Sequence, residues 1–266
     1  VLQEHLSDTI FNKVILKDQV GSTNDLAMEL LGSDEQSGVV VIADAQTSGR
    51  GRLGRTWYSP RGKNIYMSLA LRPGMKVQDG PILTVLAAVA VCRGLESSAG
   101  IDVAIKWPND LVLHKKKLGG ILIENRVEKE HIAEAVIGIG ININIDKKEF
   151  PVDIQDIATS LYIETGSNYK REEIAVSIIK AFDLFYRELT EVGNMEYTGL
   201  RRSTWRELIR QWKERDITLG KRVSVVTSDE TIDGKAIDID DMCRLRIVTG
   251  DGDEKLIHSG DVTLIL

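Results

Sequence analysis

Histidine, cysteine and long hydrophobic runs are what this sequence has least of, and each scarcity removes a class of chemistry. The four histidines, His5, His114, His131 and His258, are scattered, so a histidine-built zinc site or a histidine-centred triad has no local framework. The two cysteines, Cys92 and Cys243, stand far apart and read as reduced thiols rather than a disulfide staple or a metal-ligand pair. No apolar run approaches the ~20 residues of a membrane span. Val1 to Lys17 also lacks the basic-then-apolar order of a secretion signal. The expectation is a cytoplasmic protein with no membrane partner. A formal net charge of −6 counts against a general nucleic-acid binder, whose affinity comes largely from counterion release by a basic surface.

What is present is a globular composition with one local anomaly. With 266 residues and 42% hydrophobic content, the chain can bury a sizeable core as one large domain, alone or with a small appendage. The anomaly lies in the charge. Between Ala45 and Gln78 there is no Asp or Glu, while Arg50, Arg52, Arg55, Arg61, Lys63, Arg72 and Lys76 all fall there. A basic island in an acidic chain predicts a focused anion site. Its centre is Ser48-Gly49-Arg50-Gly51-Arg52-Leu53-Gly54-Arg55. Glycine lets the backbone turn and approach a ligand, and arginine supplies a fork of donors suited to phosphate or carboxylate.

Around that stretch the periodicity predicts a series of elements. A helix runs from a Ser22 or Thr23 cap to Gly32, followed by a buried strand at 39–43, a second strand at 65–71 and an apolar helix from Pro81 to Ser97. Strands at 103–107, 111–114 and 118–124, with short connections, predict an antiparallel meander. A fourth, 135–145, puts Ile137, Ile139, Ile141, Ile143 and Ile145 on one face and Gly138, Gly140, Asn142 and Asn144 on the other. Helices at 171–189 and 200–213 close the large domain. After Arg215 the chain is β-rich, with turn signals at Asp233-Gly234 and Asp251-Gly252 that predict a small barrel. The fold class is α+β, with a mixed or antiparallel sheet and a domain boundary near Asp216. That divides the chain into 1–216 and 217–266.

Gly49-Arg50-Gly51-Arg52-Leu53-Gly54 matches the dinucleotide fingerprint in letters. That motif opens a helix and is followed by an acid for the ribose, whereas Pro60, Gly62 and an acid-free stretch follow here. Lys106-Trp107-Pro108-Asn109-Asp110-Leu111 places a cation, a rigid bend, an amide and a carboxylate between two strands, and Lys117-Leu118-Gly119-Gly120 follows at once. Singly, each of these is an ordinary turn or charged hairpin. The combination is not ordinary.

Gly21-Ser22-Thr23-Asn24, Gln46 with the glycine-arginine loop, Lys106 to Leu111, Lys117 to Glu124 and Gly138 to Asn144, in that order, resemble the biotin protein ligases. Ser259-Gly260-Asp261-Val262 extends the likeness loosely into the C-terminal fifth. The resemblance implies a catalytic domain like that of class II aminoacyl-tRNA synthetases and a small SH3-like barrel. Val1 to Val20 is too short for the helix-turn-helix repressor domain that some members carry, so no nucleic-acid partner is implied. The implied reaction activates biotin with ATP and Mg²⁺ to biotinyl-5′-AMP, then passes biotin to a lysine of a biotin carboxyl carrier protein. Joining a carboxylate to a polyphosphate calls for positioning and positive charge rather than proton-shuttling histidines.

By resemblance, Lys117, Arg52 and Asp110 are the catalytic candidates. Ser22, Thr23, Asn24, Gln46, Gly49, Arg50, Gly51, Gly119 and Gly120 would join Lys117 at biotin. Arg55, Trp57, Lys106, Asn109, Asn142 and Asn144 would join Arg52 at ATP or the adenylate. No protein-built metal site is implied. Pairing of two copies through a sheet edge near Ile139 to Ile145 is a further expectation. The alternatives are a lipoate ligase, which shares fold and adenylation chemistry, and a non-catalytic nucleotide- or nucleic-acid-binding module using the basic island.

Overall fold

The β-branched run Val39–Ala43 forms β2, and in the computed structural model, which describes residues 2–33, 37–190 and 201–265, it lies within a seven-stranded mixed sheet. On one side it pairs in parallel with β1 (Lys13–Lys17) and on the other antiparallel with β3 (Ile65–Leu71). The order runs β1-β2-β3, then β7 (His131–Ile141), β6 (Lys116–Glu128), β5 (Asp110–Leu113) and β4 (Ala104–Lys106). The last four make the predicted antiparallel meander. A short helix α1 (Leu2–His5) precedes β1, and α2 (Thr23–Gly32) is the crossover between the parallel pair. Leu200, the predicted start of the last helix of the large domain, lies outside the described residues.

The two sheet faces are covered unequally. On one, α3 (Ile82–Ala99), α5 (Arg171–Thr190) and α6 (Arg202–Arg215) build the main core with Met67, Leu69, Ile121, Ile137, Ile139 and Ile141. Each such buried aliphatic chain contributes roughly 1.5–3 kcal/mol relative to exposure. Gly94 lets α3 approach α5, since a Cβ there would lie 2.8 Å from Ile178 Cα. The stretch Val77–Ala99 is apolar enough to cross a membrane by length and composition, unlike the expectation from the sequence, yet 67% of its 18-residue apolar window is buried inside the protein. On the opposite face α2 covers only one end, packing Ala27 and Leu31 on Val39, Val41, Ala70 and Val136. The rest of that face carries the polar residues singled out above.

β7 is interior, flanked by β3 and β6, so Ile139 to Ile145 is not the sheet edge expected for pairing. Asn142 to Ile145 also fall beyond the strand, which ends at Ile141. Among the described residues, 122–128 of β6 have a strand neighbour on one side only, because β5 is short and pairs no further than Gly120. A five-residue helix, α4 (Leu161–Thr165), precedes α5.

The C-terminal strands β8 (Arg222–Val226), β9 (Thr231–Ile239), β10 (Leu245–Thr249), β11 (Glu254–Ile257) and β12 (Asp261–Ile265) form a separate antiparallel sheet in the order β11-β10-β9-β8-β12. Asp251-Gly252 is a turn as predicted, but Asp233-Gly234 lies inside β9. Gly234 is required by proximity instead, because a Cβ there would meet the Val248 carbonyl oxygen at 2.4 Å. This sheet docks on the Trp107 turn. Trp107 N–H donates to Thr218 Oγ1 at 3.1 Å, its indole N–H donates to the Cys243 carbonyl at 3.1 Å, and Ile217 N–H donates to Ile105 O.

Candidate active site

One lateral row of the sheet organises the site. Tyr66 on β3 opposes Gly140 on β7, Gly140 opposes Gly120 on β6, Gly120 opposes Asp110 on β5, and Asp110 opposes Lys106 on β4. Two adjacent glycines therefore leave a trough in mid-sheet, bounded by a carboxylate and two cations. A register shift between Leu111 and Val112 sets Lys117 opposite Val112. Such an extra residue re-aims the side chains beside it, and Lys117 shares a face with Gly120, whose built Cβ would lie 3.6 Å from Lys117 Cε. Lys117 Nζ lies 2.6 Å from Asp110 Oδ1 and 5.8 Å from the centre of the Trp57 ring. Gly119 points the other way, against Leu111 and the Gly140 carbonyl.

The glycine-arginine stretch closes over this trough as a small hairpin. Trp57 N–H donates to Gly49 O at 2.9 Å, Gly51 N–H donates to Arg55 O at 2.7 Å, and Leu53 and Gly54 turn through positive φ. Trp57 rests on the Gly140 floor, where a Cβ would come within 2.6 Å of the indole Nε1. Among the described residues that buried Nε1 has no hydrogen-bond partner.

The basic island is largely neutralised from elsewhere in the chain. Arg50 pairs with Asp25 at 2.6 Å and Glu124 at 3.1 Å, Arg55 pairs with Asp261, Lys63 with Glu149, and Arg72 with Glu134. The Arg50 hydrogen bond holds Asp25 below its usual carboxylate value. Arg52 differs, donating to two neutral oxygens, Asn109 Oδ1 at 3.1 Å and Gly260 O at 3.3 Å. Burial, opposed by Asp261 and Asp110, lowers its pKa, but a guanidinium stays charged. Its positive charge is thus partly stripped of water. Burial likewise lowers Lys106, with Asp110 opposing and Lys117 adding to the shift.

At the other end of the trough lies a polar cluster under α2. Thr23 N–H donates to Gln46 Oε1 at 2.8 Å, Gln46 Nε2 donates to Ser59 Oγ at 3.0 Å, and Ser68 Oγ lies 2.8 Å from Thr23 Oγ1. Ser22, Thr23 and Asn24 are all buried, although Ser22 makes no side-chain cap hydrogen bond. Gly49 admits the cluster, since a Cβ there would meet Ser59 Oγ at 2.7 Å and Gln46 Nε2 at 2.9 Å.

The two asparagines expected at the nucleotide are tied internally. Asn142 donates to Thr159 O and accepts from Asn64 Nδ2, while Asn144 is bonded both ways to the Tyr169 backbone. Asn109 braces the trough rim, with Nδ2 donating to Ile121 O at 2.7 Å. Sequence reasoning missed Ser59, Ser68 and Glu124. A serine in the middle of the otherwise apolar Ile65–Leu71 was the one local signal. Behind Arg52 and Asn109, a cavity of about 220 Å³ lies between the two sheets, bounded by Trp107, Trp212, Ile239 and Cys243. The Cys243 and Cys92 thiols are free, buried and each pushed up to about 12 by burial.

Residues 16–142 match the Biotin/lipoate A/B protein ligase family, and residues 218–264 match the Biotin protein ligase C terminal domain. The bifunctional ligase/repressor BirA of Bacillus spizizenii is 39% identical over 94% of this chain and 74% of its own length. The biotin–[acetyl-CoA-carboxylase] ligase of Mycobacterium tuberculosis is 31% identical over 92% of this chain and 86% of its own. A structure of the Aquifex aeolicus biotin protein ligase in complex with biotin and ATP superposes with a TM-score of 0.77 at 30% identity, covering 96% of this chain and 99% of that one. Matches of this extent in both parts of the chain place it among enzymes, and it belongs to the biotin protein ligase family.

Proposed function

We propose that the trough over Gly120 and Gly140 activates biotin with ATP and hands it to a protein lysine. A carboxylate oxygen of biotin attacks the α-phosphorus of ATP, the bond to the bridging oxygen breaks, and pyrophosphate leaves. The lysine amine of a biotin carboxyl carrier protein then attacks the acyl carbon, AMP leaves with the bonding pair, and the amine gives up a proton. The observation that carries this reading is Lys117, held at 2.6 Å by Asp110 over a floor without side chains. It supplies positive charge where two anions must meet, which is the main requirement of such a step.

Arg52 adds a second, partly dehydrated charge for the adenylate phosphate. Thr23, Gln46 and the Gly49-Arg50-Gly51 backbone would hold the biotin ring end. Asp110 orients Lys117 and is the nearest carboxylate to receive the acceptor proton. Trp57 stands on the floor that biotin would cover, so binding requires the indole to move. Among the described residues no group of three or more His, Cys, Asp or Glu side chains could hold a metal ion. A magnesium ion accompanying ATP would be held mainly by the substrate's phosphates, as is common for this ion. When bound, it would neutralise phosphate charge.

The boundary near Asp216 would separate the catalytic unit from a C-terminal unit that braces the loop through Gly260 and Asp261. The one-sided stretch 122–128 of β6 is the backbone edge on which a second copy or the carrier would pair. Incubating the protein with biotin, ATP and a carrier domain, then mapping modified lysines by mass spectrometry, tests the assignment. One biotinylated carrier lysine is expected, and no modification with fully folded protein contradicts it.

A further inference from the structure

We infer that Glu124 is a positioning residue that makes the Thr23 hydroxyl a pure hydrogen-bond acceptor, so that the site selects a ligand whose ring presents an N–H there. The inference rests on the biotin reading above. Glu124 lies on β6, one hundred residues from Asn24. Asn24 Nδ2 donates to Glu124 Oε2 at 2.7 Å, and Arg50 Nη2 donates to both oxygens of the same carboxylate, at 3.1 and 3.2 Å. A carboxylate paired with arginine only accepts, which fixes the Asn24 amide with its oxygen toward β3.

Ser68 Oγ lies 2.6 Å from that oxygen, and its single proton goes there. The Ser68 oxygen is then left with lone pairs for Thr23 Oγ1 at 2.8 Å. Gln46 Oε1, which already accepts the Thr23 backbone N–H, stands 3.1 Å away as a second acceptor. Thr23 has one hydroxyl proton and two internal acceptors for it, so toward any ligand it offers lone pairs only. Ser68 is fully buried and Thr23 and Asn24 nearly so, and in such surroundings a chain of this kind has one satisfied direction. Gly138 supplies the space, because a Cβ there would lie 2.3 Å from Asn24 Oδ1. The expected ligand is a cyclic urea or a ring with an equivalent N–H.

The test compares Glu124→Gln, Ser68→Ala and the double variant with wild type in biotin-dependent pyrophosphate exchange, after checking melting temperatures. Both single variants should raise KM for biotin about tenfold, the size of one lost hydrogen bond. KM for ATP and kcat should stay within about twofold, and the double variant should be no worse than either single one. With a biotin analogue carrying oxygen in place of a ring N–H, wild type should discriminate strongly, and the variants should lose most of that preference. Asp25→Asn removes the other carboxylate from Arg50 while sparing the chain, and should leave KM for biotin within about twofold. An unchanged KM in the single variants, additive effects in the double one, undiminished discrimination, or an Asp25→Asn effect equal to that of Glu124→Gln would each overturn the inference. Wild-type protein without biotin-dependent exchange would overturn the biotin reading instead.

Discussion

The Lys117 ammonium and the Asp110 carboxylate meet at 2.6 Å on neighbouring strands, and a one-residue register shift in β6 brings them to the same side of the sheet. Without that shift Lys117 would fall opposite Leu113 and point into the core with it. The pair is half-open to water, so its value lies in aiming a charge rather than in stability. Truncation should therefore remove chemistry and leave the fold. Lys117→Ala should lower adenylate formation by about 10²–10³ or more, by analogy with lost oxyanion donors, with an unchanged melting temperature. Exchange within threefold of wild type would refute this role.

Arg52 links the loop to both sheets through Asn109 and Gly260. Arg52→Gly removes both tethers and the partly dehydrated charge, so a reactive adenylate should escape before transfer. The expected outcome is biotin on lysines of bystander albumin, well above the wild-type level, read by avidin blot. Bystander labelling at the wild-type level contradicts the clamp.

Asp25 gives a pH signature. Its folded pKa is lowered, first by the Arg50 hydrogen bond, from an ordinary value of 3.8. A lowered carboxylate contributes stability that is fully present above the unfolded pKa and is lost as pH falls through the lower folded value. The anchoring of Arg50 should therefore persist at pH 5 and weaken only below about 3.8. An NMR titration of the Asp25 carboxyl carbon should give a midpoint under 3.8, and one at or above it excludes the pairing.

The α3–α5 contact makes a separate claim about the scaffold. A Cβ at Gly94 would lie 2.5 Å from Ile178 Cγ1 and 2.8 Å from its Cα, so the helices must part. Gly94→Ala should destabilise by about 1–3 kcal/mol, as overpacking does, and lower the melting temperature by roughly 2–4 °C per kcal/mol. An unchanged or higher melting temperature contradicts the packing described.

The contrast between Gly140 and Gly234 shows how much was legible. Gly140 sits in a long alternating run, and the period of two alone put it on the face opposite Ile139 and Ile141. Gly234 follows Asp233 and reads as a turn, because the carbonyl of Val248 that forbids a side chain there comes from another strand. The parallel strand β1 was missed for a similar reason, being five residues long and joined to β2 only through a crossover helix. Lys117, Asp110 and the arginine loop were legible as motifs. What Glu124 and Ser68 contribute was not, because their partners lie 44 to 100 residues away and no local pattern marks them. The neutralisation of the basic island was hidden too, since Asp25, Glu124, Glu134, Glu149 and Asp261 all come from outside it.

The most direct measurement of the central claim is exchange of labelled pyrophosphate into ATP by wild-type protein, with biotin and with lipoate as the acid. Exchange that depends on biotin, is negligible with lipoate and disappears in Lys117→Ala is the predicted result. Folded protein that shows no exchange with biotin, or exchanges equally well with lipoate, would contradict it.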